Sequence, residues 1–363
     1  MLCILLLPGT MILFLWSFKK LRSVHEPRLL PPGPRGLPII GYLPFLTPNL
    51  HQLFLNLAKT YGPIYKLPLG QKLCIVISSP TLAKEVVQDQ DTIFANRSPT
   101  IAASTFSFGK QDIACAAYGP EWRMLRRIFA HEMLSNANLD SLYPLRKEEV
   151  MKSVRGLYGK IGQPVNIREI AFCTVTNMIS SMTWGGTLGE VNEETDLVVG
   201  QFRAIILQMH DLLQRPNVSD FFPVLARFDL QGVERRMKKL LKQIEETYDF
   251  QIDRLVEEVR SRGGDAKDNQ RKNFLHFLLE FRDHETGKPI SRQQIKALLM
   301  DIVVAGPDSV SNAIQWVMTE LMLHPQVMAK VQEELTQVVG INNIVEEFHV
   351  HKLPYFQAVV KET

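Results

Sequence analysis

The stretch Asp301-Ile302-Val303-Val304-Ala305-Gly306-Pro307-Asp308-Ser309-Val310-Ser311 sits inside a run from Ile295 to Leu323 that is apolar on nearly every side. A helix whose middle is apolar all round needs protein packed on every face, so this run is expected to be the central rod of the fold. Ser291-Arg292-Gln293-Gln294 fits a capping box at its start, and His324-Pro325 marks its end. At 1.5 Å per residue the helix spans about 50 Å, the width of a large domain. Pro307 has no amide hydrogen to donate and its ring crowds the preceding turn, while Gly306 adds freedom, so a kink or widened turn is expected at Ala305 to Ser309. An acid and an alcohol follow at that point. A carboxylate in an apolar helix is costly without partners or a task, which makes Asp308 and Ser309 candidates for relaying protons into a buried cavity. The alternative is a tolerated kink with Asp308 facing solvent.

Outward from this rod, most of the chain reads as helix. Pro80 to Asp89, Pro120 to Leu134, Leu197 to Leu213, Val233 to Arg262 and Asn273 to Phe281 all repeat apolar residues at three-to-four spacing. Arg262 to Arg271 is polar and glycine-marked, a surface loop. Only Ile64 to Leu69 and Lys72 to Ser78 read as strands, joined at Gly70-Gln71 in a tight hairpin with glycine leading the turn. The fold class is therefore mainly α with a small β-sheet.

Composition narrows the function. With 363 residues, 45% apolar and 22% charged, the chain has ample material for a core. A net charge of +3 is too mild for a nucleic-acid binder, whose cations cluster on one face. Cys3, Cys74, Cys115 and Cys173 are unevenly spaced and form no Cys-x-x-Cys pair, which argues against a disulfide framework and a structural zinc site. Each is expected to be an apolar thiol. His131-Glu132 and His284-Glu285 lack a second histidine one turn on, and His349-Val350-His351 lacks further convergent ligands, so no metal site is expected among them.

Residues 1–18 carry no charged side chain and are followed by Lys19, Lys20 and Arg22. A secretory signal would place its cations before the apolar run, so this order reads as a single-pass membrane anchor with the body of the protein in the cytosol. Residues 19–48 carry seven prolines and form a stiff, extended linker, and residues 49–363 form the body. Trp122 and Arg126 share one helix face, and an arginine fork with an indole N–H suits the carboxylates of a ligand edge. A surface ion pair beside a packed tryptophan is the alternative.

The Asp301 to Ser311 segment resembles the oxygen-binding central helix of the cytochrome P-450 superfamily. Leu30-Pro31-Pro32-Gly33-Pro34-Arg35-Gly36-Leu37-Pro38 resembles the proline-rich hinge of its microsomal members, Trp122-Arg123-Met124-Leu125-Arg126-Arg127 its haem-propionate helix, and Lys361-Glu362-Thr363 the start of its Glu-x-x-Arg helix. The resemblance runs along the whole chain and points to plant-type microsomal enzymes. It implies a cytochrome P-450-like helical fold, incomplete at the C-terminus, because the Phe-x-x-Gly-x-Arg-x-Cys-x-Gly loop carrying the axial cysteine is not in this sequence. No metal ligand is therefore assigned within it.

By that resemblance the cofactor is haem b, with Trp122 and Arg126 at its propionates. Gly306, Asp308 and Ser309 serve oxygen binding and proton delivery, and Glu362 is structural. Phe106, Leu213 and Val304 line an apolar substrate pocket. Serine replaces the usual threonine at Ser309, and Pro307 is not the residue expected there. The implied activity is hydroxylation of a small hydrophobic metabolite of terpenoid or phenolic type with O2. Electrons would come from an NADPH-dependent flavoprotein reductase at the endoplasmic reticulum membrane. The competing expectation is a truncated, non-catalytic family member acting as a membrane-tethered binding or interaction protein.

Overall fold

Residues 30–186, 193–261, 273–283 and 287–363 are described in the computed structural model of the chain. The apolar leader, Cys3, the first part of the proline-rich linker, the polar loop from Arg262 to Arg271 and His284-Glu285 lie outside them. In chain order the helices begin with α1 (Leu50–Tyr61), α2 (Pro80–Lys84), α3 (Asp91–Phe94), α4 (Ile101–Phe106) and α5 (Pro120–Ile128). Next come α6 (Asn136–Ser141), α7 (Tyr143–Tyr158), α8 (Ile167–Trp184), α9 (Glu193–Gln214) and α10 (Val218–Phe221). The last five are α11 (Val233–Ser261), α12 (Phe274–Glu280), α13 (Arg292–Leu323), α14 (Pro325–Val338) and α15 (Pro354–Glu362). Among the described residues the one sheet is the antiparallel pair β1 (Ile64–Leu69) and β2 (Lys72–Ile77).

Two compact units form. One contains the described residues up to Asn96 together with Arg215–Val233. In it Leu69 lies opposite Lys72, so Gly70-Gln71 is a two-residue turn, and Gly70 leads it at φ 61°. Period-two alternation turns Tyr65 and Leu67 inward onto Leu57 of α1. The Tyr65 hydroxyl finds its partner in the carbonyl of Phe54 at 3.1 Å. From residue 30 the proline-rich stretch is laid against this hairpin instead of standing free. Lys66 N donates to Pro32 O at 2.8 Å and Tyr42 N to Pro68 O at 2.6 Å. A Cβ on Gly41 would lie 2.4 Å from Pro68 O, so only glycine permits this approach.

The other unit, Arg97–Gln214 with Glu234–Thr363, is built around α13. The Ser291 hydroxyl accepts from Gln294 N at 3.1 Å and the Gln294 side chain accepts from Ser291 N at 3.0 Å, the capping box expected from the sequence. From Ile295 to Val304 every residue except Asp301 is buried, Lys296 included. α13 is the described helix long and apolar enough to cross a bilayer, and this buried half marks it as the core rod. α8 packs along it, and α7 and α12 pack in turn on α8. α11 is tied to it by Lys296, whose Nζ reaches Asp249 Oδ2 at 2.8 Å and Glu245 Oε1 at 3.1 Å.

The helices expected at Pro80 to Asp89 and Pro120 to Leu134 finish differently. Each passes from α-helix into a wider π turn, at Glu85–Asp89 and Phe129–Met133 respectively.

Candidate active site on the central helix

Helix α13 runs unbroken through Gly306 and Pro307, where a kink or widened turn was expected. Proline removes one hydrogen bond, and the Ser309 hydroxyl turns back to its own helix, donating toward Ala305 O at 3.1 Å and Gly306 O at 3.2 Å. Gly306 has a packing role as well. A Cβ there would lie 2.6 Å from Ile179 Cδ1 on α8, so the missing side chain lets the two helices approach closely.

Asp308 faces partners from two other helices. Arg168 of α8 donates from Nη2 to Asp308 Oδ1 at 3.2 Å, and His210 Nδ1 of α9 lies 3.9 Å from Oδ2. Asn312, one turn on, donates to Oδ2 at 3.4 Å. The Asp308 side chain is about one-fifth exposed (21%), so it reaches water while staying tethered. Neither Arg168 nor His210 carried a signal in the sequence, because both are brought in by tertiary packing.

Past Val304 one side of α13 is exposed: Ala305, Ser309 and Ala313, each one turn from the next, together with Val310 and Ile314, whereas Val304, Pro307 and Ser311 are buried. On α4, Phe106 is buried, and α4 packs on α9, which carries the half-buried Leu213. Val304 is buried within α13.

Trp122 and Arg126 lie on α5. The indole Nε1 donates to Ile113 O at 2.9 Å, so its one donor is spent on the chain, and its ring meets Tyr118 at 5.5 Å. The Arg126 guanidinium is exposed and meets no acceptor among the described residues. Glu362 is exposed at the end of α15, in a groove shared with Trp316, His324 and Tyr355. No cluster of three His, Cys, Asp or Glu side chains able to hold a metal occurs among the described residues. His349 instead caps the turn that follows Glu346, its Nδ1 accepting from Glu346 N at 3.0 Å.

Comparison with known proteins decides the family. The Cytochrome P-450 family model matches residues 31–363. The chain belongs to the cytochrome P-450 family.

It is 36% identical to a flavonoid 3'-monooxygenase of Crocosmia x crocosmiiflora over 94% of this chain and 66% of that protein. It is 33% identical to a flavonoid 3',5'-hydroxylase of Solanum melongena over 92% of this chain and 64% of that protein. A 3,9-dihydroxypterocarpan 6A-monooxygenase of Glycine max matches at 33% identity, over 92% of this chain and 66% of its own length. The chain thus spans just under two-thirds of the length of these relatives.

A cytochrome P-450 domain needs a face for a haem and a donor for its carboxylates. The exposed side of α13 around Ala305, Ser309 and Ala313, and the Arg126 guanidinium, which meets no acceptor among the described residues, fit those two needs. Cys74, Cys115 and Cys173 are half-buried, and burial, with the charge of Asp112, pushes the Cys115 thiol up to about 11, away from the thiolate form.

Proposed function

We propose that this chain is the greater part of a haem-dependent monooxygenase that hydroxylates a small hydrophobic metabolite of phenolic type. The observation that carries the reading is the tethered acid at the exposed side of the core helix: Asp308, held by Arg168 with His210 nearby, adjoins the exposed alcohol of Ser309. Haem, when bound, supplies the iron that activates dioxygen. The chain's own residues supply the rest. Arg126 offers a guanidinium fork to a carboxylate edge, and Ala305, Ser309 and Ala313 put small side chains on the exposed side of the helix. Asp308 and Ser309 hold and pass protons, Asp308 from water and Ser309 across one turn of helix. Val304, Phe106 and Leu213 keep the substrate side apolar, which favours a hydrophobic ligand and limits stray water.

The relatives' names, two flavonoid oxygenases and a pterocarpan monooxygenase, support a phenolic substrate over a terpenoid and an enzyme over a binding protein. The reading includes an NADPH-dependent flavoprotein reductase as electron donor. It also includes single-pass anchorage through residues 1–18 in the endoplasmic reticulum membrane, for which the uncharged leader and the cations after it are the support. The test is the full-length protein in microsomes with reductase, NADPH and a panel of flavonoids. Hydroxylated product is expected, with Asp308→Asn slowing turnover and Ser309→Ala releasing more peroxide per NADPH. Unchanged product and peroxide in both variants would sink the proton-relay assignment, and absence of any haem from the protein would sink the reading.

A further inference from the structure

Two carboxyl groups outside the Asp308 site are brought close together by the Ile113 backbone. Asp112, in the segment between α4 and α5, is fully buried, and Asp301, on α13, is half-buried. Each already accepts one backbone hydrogen bond, Asp112 Oδ1 from Cys115 N at 2.8 Å and Asp301 Oδ2 from Ile113 N at 2.8 Å. Asp301 holds the N–H of Ile113, the residue next to Asp112 in the chain, which brings the two acids together, and Asp112 Oδ2 finds no donor among the described residues. Among the described residues no cation pairs with either acid. Lys296, one and a half turns back on α13, is turned instead to Asp249 and Glu245 of α11. The titratable groups facing the pair are the Cys115 thiol from its own segment and the Tyr248 phenol from α11, and burial raises the pKa of both, so neither carries charge near neutrality. Two bare carboxylates held this close in a dry site repel strongly, and a single proton between them removes the repulsion while supplying the missing donor.

Ile113 makes this pair matter beyond its own neighbourhood. Its N–H is held by Asp301 and its C=O by Trp122 Nε1, so one residue couples the central helix to α5, where Arg126 also sits. We infer that Asp112 and Asp301 share one proton and act as a positioning pair, clamping the segment before α5 to α13 and fixing Trp122 through Ile113. Loss of that proton to solvent leaves two carboxylates and opens the clamp. Burial, then the charge of Asp112, pushes the Asp301 carboxyl up to about 7, which puts the opening near neutral to mildly alkaline pH. This inference concerns how the fold is held and stands whether or not the oxygenase reading does.

The test uses amide hydrogen exchange and infrared spectroscopy on the full-length protein. Between about pH 6 and about pH 9 the Ile113 amide should exchange at least about tenfold faster than the ordinary base-catalysed rise accounts for. Asp301→Asn, whose amide offers an acceptor to Ile113 and a donor to Asp112, should keep that amide protected over the same range. A protonated-carboxyl stretch should be present in the parent at the lower pH and missing in both Asp112→Asn and Asp301→Asn. If the parent shows only the base-catalysed rise, or Asp301→Asn opens as the parent does, the clamp is wrong. If the carboxyl stretch is absent from the parent, a buried water is the donor and the shared proton is wrong. Should Asp301→Asn fail to fold, Asp112→Asn gives the same exchange comparison.

Discussion

Arg168 Nη2 and Asp308 Oδ1 meet at 3.2 Å across a sequence separation of 140 residues, joining α8 to the middle of the central helix. The acid assigned to proton relay is therefore tethered, and it must loosen from the guanidinium or share it whenever it passes a proton on. Arg168→Leu should cost no more than about 1 kcal/mol of stability, because both side chains remain partly hydrated. In the full-length protein it should also change the solvent isotope effect on turnover. A urea midpoint and an isotope effect that both match the parent would count against the tether.

Gly306 and Ile179 should behave as one site. Alanine at 306 gains about 1 kcal/mol of helix propensity but pushes its Cβ to 2.6 Å from Ile179 Cδ1, an overpacking cost of about 1 to 3 kcal/mol. Gly306→Ala alone should therefore be mildly destabilising, and the same change on top of Ile179→Val, which lacks Cδ1, neutral or stabilising. Urea unfolding of all four proteins of the cycle checks this, and additive effects would refute the contact.

Trp122→Phe should keep most of the ring packing on Tyr118 but orphan the carbonyl of Ile113. The expected loss is about 1 kcal/mol, that of a hydrogen bond to a part-buried acceptor. No loss in denaturant melts would mean that water replaces the indole without cost.

Stability should respond to pH in two windows of opposite sign. Burial raises the Asp249 carboxyl, but hydrogen bonds from Lys296 and Arg292 outweigh it and hold its pKa below the ordinary value. Its contribution is present above about pH 4 and lost as pH falls below that. Asp301, raised to about 7, contributes fully below about pH 4, and that contribution declines as pH climbs to about 7 and stays lost above it. Lys296→Met should flatten the acid limb, and Asp301→Asn the stretch between about pH 4 and about pH 7. Urea midpoints against pH for the three proteins measure both slopes, and parallel curves would remove either assignment.

Much of the fold was legible because local chemistry and tertiary packing agree. The capping box at Ser291 and Gln294 and the glycine-led turn at Gly70 are short-range devices that work wherever the chain goes. The helix stays continuous through Gly306-Pro307, because proline removes a single hydrogen bond and burial of the surrounding turns outweighs that loss. The π turns after α2 and α5 had no local signature at all. Of the candidate site, Asp308, Ser309, Trp122 and Arg126 were visible as residue types in a pattern. Their partners Arg168, His210 and Ile113 were not, since nothing within a few residues of them marks the contact.

Sequence alone determined that a long apolar helix forms the core, that a hairpin accompanies it, and which polar residues lie along that helix and on α5. Periodicity, caps and turn residues act over a few residues, and one chain carries them in full. Only the tertiary structure decided what each polar group faces: Arg168 against Asp308, Asp112 against Asp301, the Trp122 indole spent on Ile113, and the exposed side of α13 from Ala305 to Ala313. The reason is physical. A buried charge or donor takes its properties from atoms within a few ångströms, and those atoms come from segments far away in the chain, brought there by the burial of apolar surface.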